Sequence, residues 1–130
     1  MKSLVLAVAL VFGNPVSAGA AEKTDGTPPA IAAWLKVTPA VQILDVRTKE
    51  EFATGHLAKA ALIPWTDEDF AARAQKELDP AKPVLVYCRS GRRSAEAAAG
   101  LSKLGFKHIR ALDGGITAWT KAGQPVVKPD

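Results

Sequence analysis

A chain of 130 residues is long enough for one domain and too short for two. Its formal net charge of +4, from 17 basic and 13 acidic side chains, is too small and too scattered to argue nucleic-acid binding. One cysteine excludes an internal disulfide, and two histidines with no Cys/His cluster exclude a credible zinc or haem site, so no metal and no cofactor is expected.

The chain opens with Lys2, an apolar run from Leu4 to Phe12, a Gly13-Asn14-Pro15 break and small residues up to Ala21. That pattern is a secretory signal peptide over residues 1–21, and cleavage after Ala18, Ala20 or Ala21 fits equally. The run is too short to span a bilayer permanently, and no second run of spanning length follows. The expectation is a protein with no membrane segment after cleavage, periplasmic or secreted, with a net charge of +3 once Lys2 is gone. Residues 22–29 are polar and rich in Gly, Pro and Thr, and they read as a flexible leader. The domain is expected over 30–130, with enough apolar residues to fold as a monomer.

Ala30 to Lys36 is an amphipathic helix with Ile31, Trp34 and Leu35 on one side. Val41 to Val46 reads as a strand. Thr48 with Glu51 forms a capping box for a short helix ending near Ala53, before Gly55. A second strand spans Ala60 to Ile63 and closes at Pro64. A helix is expected from Thr66, with Asp67, Glu68 and Asp69 in its first turn and Phe70, Ala74 and Leu78 as its apolar stripe. Val84 to Tyr87 is a buried strand entered from Pro83. Ser94 to Leu104 is a helix with Ala97, Ala98, Leu101 and Leu104 on one face, stopped by Gly105. His108 to Leu112 is a fourth strand. Gly114-Gly115 reads as a turn, and Ile116 to Ala122 as a last helix carrying Trp119. Strands alternating with helices give an α/β domain around a mostly parallel sheet. Ligands in such sheets bind beyond the carboxyl ends of strands.

Cys88 stands at such an end. Arg89, Ser90, Gly91, Arg92 and Arg93 follow it before the next helix starts. A short loop entering a helix can turn its N–H groups inward around an anion. Next to helix N-termini and cations a thiol pKa falls from about 8.5 to roughly 3.5–7.5. Cys88 is therefore the candidate nucleophile, and the loop Arg89, Ser90, Gly91, Arg92 and Arg93 the candidate anion cradle. A lone cysteine is more often a small buried hydrophobe, and the coincidence of strand end, glycine, arginines and helix start argues against that here.

Several stretches together resemble the rhodanese family. They are Leu44-Asp45-Val46-Arg47, Glu51-Phe52, Gly55-His56-Leu57, Ala60, Ile63-Pro64, Tyr87 to Ser94, Leu104-Gly105-Phe106, Leu112 to Gly115, Trp119 and Gly123-Gln124-Pro125. The chain looks most like exported single-domain thiosulfate sulfurtransferases. The resemblance implies a three-layer sandwich with helices on both faces of the sheet. It also implies sulfur transfer from thiosulfate, or a similar sulfur oxyanion, to cyanide or a thiol through a Cys88 persulfide. Arg89 and Arg93 are expected to bind substrate and Arg92 to face solvent. Asp45 and Arg47 are expected to be structural, with Arg47 paired to Glu51 or Asp45. His56 is expected to cap or pack, and Trp65 to belong to the core. Two residues depart from the family pattern. Lys59 replaces a usual Gly, which suggests a different turn or a lysine near the site mouth, and Leu62 replaces a usual Asn or His.

Two other readings compete. A sulfur carrier loaded by a partner protein would keep the same loop. A phosphatase or arsenate reductase would need five residues between cysteine and arginine, and here Cys88 and Arg93 have four, with Ser94 in the following place.

Overall fold

The computed structural model describes residues 24–129, so the expected signal peptide lies outside the described residues. In chain order the elements are α1 (Pro28–Val37), β1 (Gln42–Asp45), α2 (Lys49–Ala53), β2 (Ala61–Leu62), α3 (Phe70–Glu77), β3 (Val84–Tyr87), α4 (Arg92–Lys103), β4 (Ile109–Ala111) and α5 (Gly115–Lys121). The four strands form one parallel sheet in the order β2-β1-β3-β4. Parallel neighbours cannot be joined by a tight hairpin, so each crossing carries a helix. No helix among the described residues is long and apolar enough to cross a membrane.

The period-2 pleat of β3 sorts the core into two layers. Val84, Val86 and then Cys88 point to one face, where Phe70 and Ala74 of α3 and Ala97, Ala98 and Leu101 of α4 cover them. Leu85 and Tyr87 point to the other, against Ile31 of α1, Leu112 and Trp119 of α5. All four residues of β3 are buried, as an all-apolar central strand requires. Each such Val or Leu stabilises the fold by about 1.5–3 kcal/mol.

Several boundaries differ from the sequence expectation. α1 opens at Pro28, with prolines in its first turn, where a missing N–H costs nothing. Gly26 is buried, and its carbonyl accepts the Asp113 N–H at 2.9 Å. The leader expected over 22–29 is thus shorter at its domain end. α3 starts at Phe70, four residues after Thr66. Asp67 N–H donates to the Pro64 carbonyl and Phe70 N–H to the Asp67 carbonyl, so two tight turns carry the chain until Phe70 reaches the core. The acidic run 67–69 stays exposed in those turns. α5 takes in Gly115, expected in a turn. Lys59 is exposed at φ +67°, the left-handed conformation that glycine adopts freely. It borders a groove with Leu35, Ile43 and Trp119, and it is not among the residues lining the cleft that Arg89 lines.

Candidate active site

Beyond Tyr87 the chain makes one tight loop and enters α4. Gly91 caps that helix at φ +116°, a left-handed conformation that favours glycine. The curl brings the Gly91 N–H to 3.0 Å from the Cys88 sulfur. The Ser94 hydroxyl lies 3.5 Å from the same sulfur and donates to the Gly91 carbonyl at 3.1 Å. Burial alone pushes the thiol up. The backbone N–H groups of Ser94, Gly91 and Ser90, with the Ser94 hydroxyl once its proton turns from the Gly91 carbonyl to the sulfur, outweigh it, and the thiol is held below its ordinary value of 9.0. Peptide and hydroxyl dipoles do this work, and no arginine is among the main causes.

The loop is held from below by α5. Ile116 N–H donates to the Cys88 carbonyl at 2.9 Å and Thr117 N–H to the Arg89 carbonyl at 3.1 Å. With these carbonyls turned down onto the start of α5, the loop N–H groups are left to face the sulfur. Gly115 makes the approach possible. A Cβ there would stand 2.3 Å from the Arg89 carbonyl oxygen and 2.5 Å from that of Cys88.

Two ion pairs flank the loop. Arg93 makes a two-pronged bond to Glu51, at 2.8 and 3.0 Å. Glu51 also closes the capping box of α2, taking the Thr48 N–H at 3.1 Å, while its own N–H reaches Thr48 Oγ1 at 3.1 Å. The Arg93 guanidinium, with that cap, lowers the Glu51 carboxyl from 4.5 to about 2. Arg47 pairs with Asp45 at 2.7 Å and also donates to the Gly55 carbonyl at 2.7 Å. Asp45 also takes the Arg47 N–H at 2.9 Å, and both side chains are buried. The Tyr87 hydroxyl accepts the Leu57 N–H at 3.0 Å, and burial together with Asp45 pushes its ionisation up.

An open cleft of about 610 Å³ lies beside the loop. Arg47, Glu50, Glu51, Arg89, Ile116 and Thr117 are among the residues that line it. Of the residues expected at the site, Cys88, Ser90 and Gly91 form the thiol's surroundings. Arg89 is exposed and lines the cleft, Arg92 is exposed, and Arg93 is engaged by Glu51. His56 stacks flat on Phe52 with ring centres 3.8 Å apart, and Trp65 packs on the α4 side of the core.

A family model for the rhodanese-like domain matches residues 28–122. The chain belongs to the rhodanese-like family. Within it, a sulfurtransferase of Allochromatium vinosum is 36% identical over 93 residues, 72% of this chain and 84% of that protein. Thiosulfate sulfurtransferase 18 of Arabidopsis thaliana is 36% identical over 96 residues, 65% of this chain and 71% of that one. The crystal structure of a rhodanese-related protein from Thermoplasma volcanium superposes with a TM-score of 0.67 at 34% identity, covering 78% of this chain and 94% of that one. Sulfur transfer in general is the chemistry these relatives support.

Three residues of this rhodanese-like site were not assigned to it from sequence. The sequence places Ser94 at a helix start, Glu51 in a local cap or as a partner of Arg47, and Gly115 in a turn. Only the six-residue spacing of Ser94 from Cys88 carried a signal, since a loop curling into a helix brings those positions together. Glu51 and Gly115 meet the loop across tertiary contacts.

Proposed function

We propose that this protein is an exported, monomeric thiosulfate sulfurtransferase that works through a persulfide on Cys88. The observation that carries the reading is the 3.0 Å approach of the Gly91 N–H to a buried sulfur at the carboxyl end of β3. The thiolate pair attacks the outer sulfur of thiosulfate. A new S–S bond forms on Cys88, and the S–S bond of thiosulfate breaks with its pair leaving on sulfite. The N–H groups of Ser90, Gly91 and Ser94 favour the anionic sulfur before and after transfer. Arg89, whose side chain has no partner among the described residues, offers a guanidinium to the sulfonate or sulfite oxygens. Arg93 would join it only by leaving Glu51. Cyanide or a thiol then attacks the outer persulfide sulfur and frees the Cys88 thiolate, which divides one transfer into two steps.

Intact mass before and after thiosulfate is the test, with Cys88→Ala alongside. The expected result is a gain of one sulfur atom on the native protein alone, removed by cyanide as thiocyanate. A free, reduced Cys88 that gains nothing from thiosulfate rules the donor out, and loading only from a partner-protein persulfide makes the protein a carrier.

A further inference from the structure

We infer that Glu51 is a positioning residue for the nucleophile: by gripping the Arg93 guanidinium it keeps that guanidinium off the Cys88 sulfur. The inference rests on the reading of Cys88 as the nucleophile and adds how its reactivity is set. It does not depend on thiosulfate being the donor.

Arg93 stands in the first turn of α4, between two residues that meet the sulfur. The Gly91 N–H lies 3.0 Å from it and the Ser94 hydroxyl 3.5 Å. The Arg93 backbone is therefore fixed beside the thiol, and Cys88 is among the charges that Arg93 feels. Its guanidinium nonetheless turns away. Its side-chain hydrogen bonds among the described residues both go to Glu51, at 2.8 and 3.0 Å. Glu51 is anchored on its own side. Its Oε1 also takes the Thr48 N–H at 3.1 Å and the Thr48 hydroxyl at 3.2 Å, so the cap of α2 fixes the carboxylate that holds the arginine. The other charges around the loop give no equivalent hold. Asp45 is spent on Arg47 at 2.7 Å. Arg89 and Arg92 are exposed and of the same sign as Arg93, and Glu50 is exposed at the cleft.

The grip matters because of what a released guanidinium does to a thiolate. It makes a charge-assisted hydrogen bond to the sulfur and takes up a lone pair that the attack needs. The thiolate becomes more abundant and less nucleophilic, since nucleophilicity falls with basicity. With Arg93 held aside, peptide and hydroxyl dipoles ionise Cys88, and the thiolate keeps its pair for the donor sulfur.

The experiment is the pH profile of Cys88 alkylation by iodoacetamide, in which the thiolate forms a C–S bond and iodide leaves. It is run on the native protein, E51Q, R93Q and the double variant E51Q/R93Q. Glutamine serves a capping box as glutamate does, so E51Q keeps the cap and removes the charge. The expected result is that E51Q moves the profile to lower pH. Its plateau rate at high pH falls roughly threefold, the drop that a slope of about 0.5 gives for a tenfold gain in thiol acidity. The double variant should match R93Q. A merely structural role has the opposite sign, because a loosened loop withdraws N–H groups from the sulfur and moves the profile to higher pH. A profile that stays or moves up in E51Q overturns the inference. A downward shift of the double variant relative to R93Q also overturns it, since Glu51 then acts on the sulfur without Arg93. Thiosulfate loading, read by mass on the same native preparation, separates the two readings. If thiosulfate fails while the E51Q pattern holds, the donor is wrong and the role of Glu51 stands. If native Cys88 resists alkylation at every pH at which the protein is folded, both fall.

Discussion

Arg47 and Arg89 leave neighbouring strands at matching positions. Asp45 of β1 and Tyr87 of β3 are register partners, and each arginine follows its member of that pair by two residues. Their fates are opposite. Arg47 folds back on Asp45, ties down the Gly55 carbonyl and is 4% exposed. Arg89 has an uncharged tyrosine at the corresponding place, so its side chain turns out to the cleft while α5 holds its carbonyl. The difference teaches that a guanidinium becomes scaffold or ligand-binding group according to whether the fold has already satisfied it. Identity and position along the strand do not decide the matter.

The comparison breaks most severely at Arg47. Arg47→Ala leaves Asp45 buried with its main partner gone, and a loss of about 3–5 kcal/mol is expected in urea unfolding. A loss under about 1 kcal/mol would show that Arg47 is no scaffold. On the side of Arg89, Gly115→Ala drives a methyl group into the Cys88 and Arg89 carbonyls at a residue with φ +63°. Overpacking of this kind costs about 1–3 kcal/mol. The loop must also shift, so alkylation of Cys88 by iodoacetamide should need a higher pH than in the native protein.

Glu51 is the intermediate case, an ion pair that is neither buried nor free. Glu51→Gln should cost on the order of 1 kcal/mol at neutral pH, because both partners are partly exposed and water screens them. Its folded-state pKa of about 2 lies below the ordinary 4.5. The native contribution is therefore complete above pH 4.5 and is lost as pH falls toward 2. The variant should lack that part of the acid limb, which unfolding curves between pH 5 and 2 would reveal. Arg89→Ala sharpens the contrast by doing least to the fold. Stability should stay within about 0.5 kcal/mol, as for an exposed side chain with no partner among the described residues. The KM for thiosulfate should rise about tenfold, the scale of one charge-assisted hydrogen bond. Equal effects on stability from Arg47→Ala and Arg89→Ala would erase the distinction.

The chain order of strands and helices was legible because the signals are local. Val84 to Tyr87 is a run of apolar residues after a proline, and the Thr48–Glu51 capping box lies within four residues. The start of α3 departs from the sequence expectation because an acidic run imitates a helix first turn, while the helix itself begins where Phe70 reaches the core. At Lys59 the side-chain type suggests a backbone conformation without dictating it, and the turn imposes φ +67° on a lysine.

The same division holds for the site. Sequence alone determined that Cys88 ends a buried strand, that a glycine-bearing basic loop follows, and that a helix starts beyond it, since each depends only on residues within a dozen positions. Tertiary structure decided which arginines remain free. Glu51 meets Arg93 from 42 residues away, and Ile116 and Thr117 hold the Cys88 and Arg89 carbonyls from a separate helix. A side chain's charge is written in its residue type, but whether that charge is already neutralised depends on packing between distant segments.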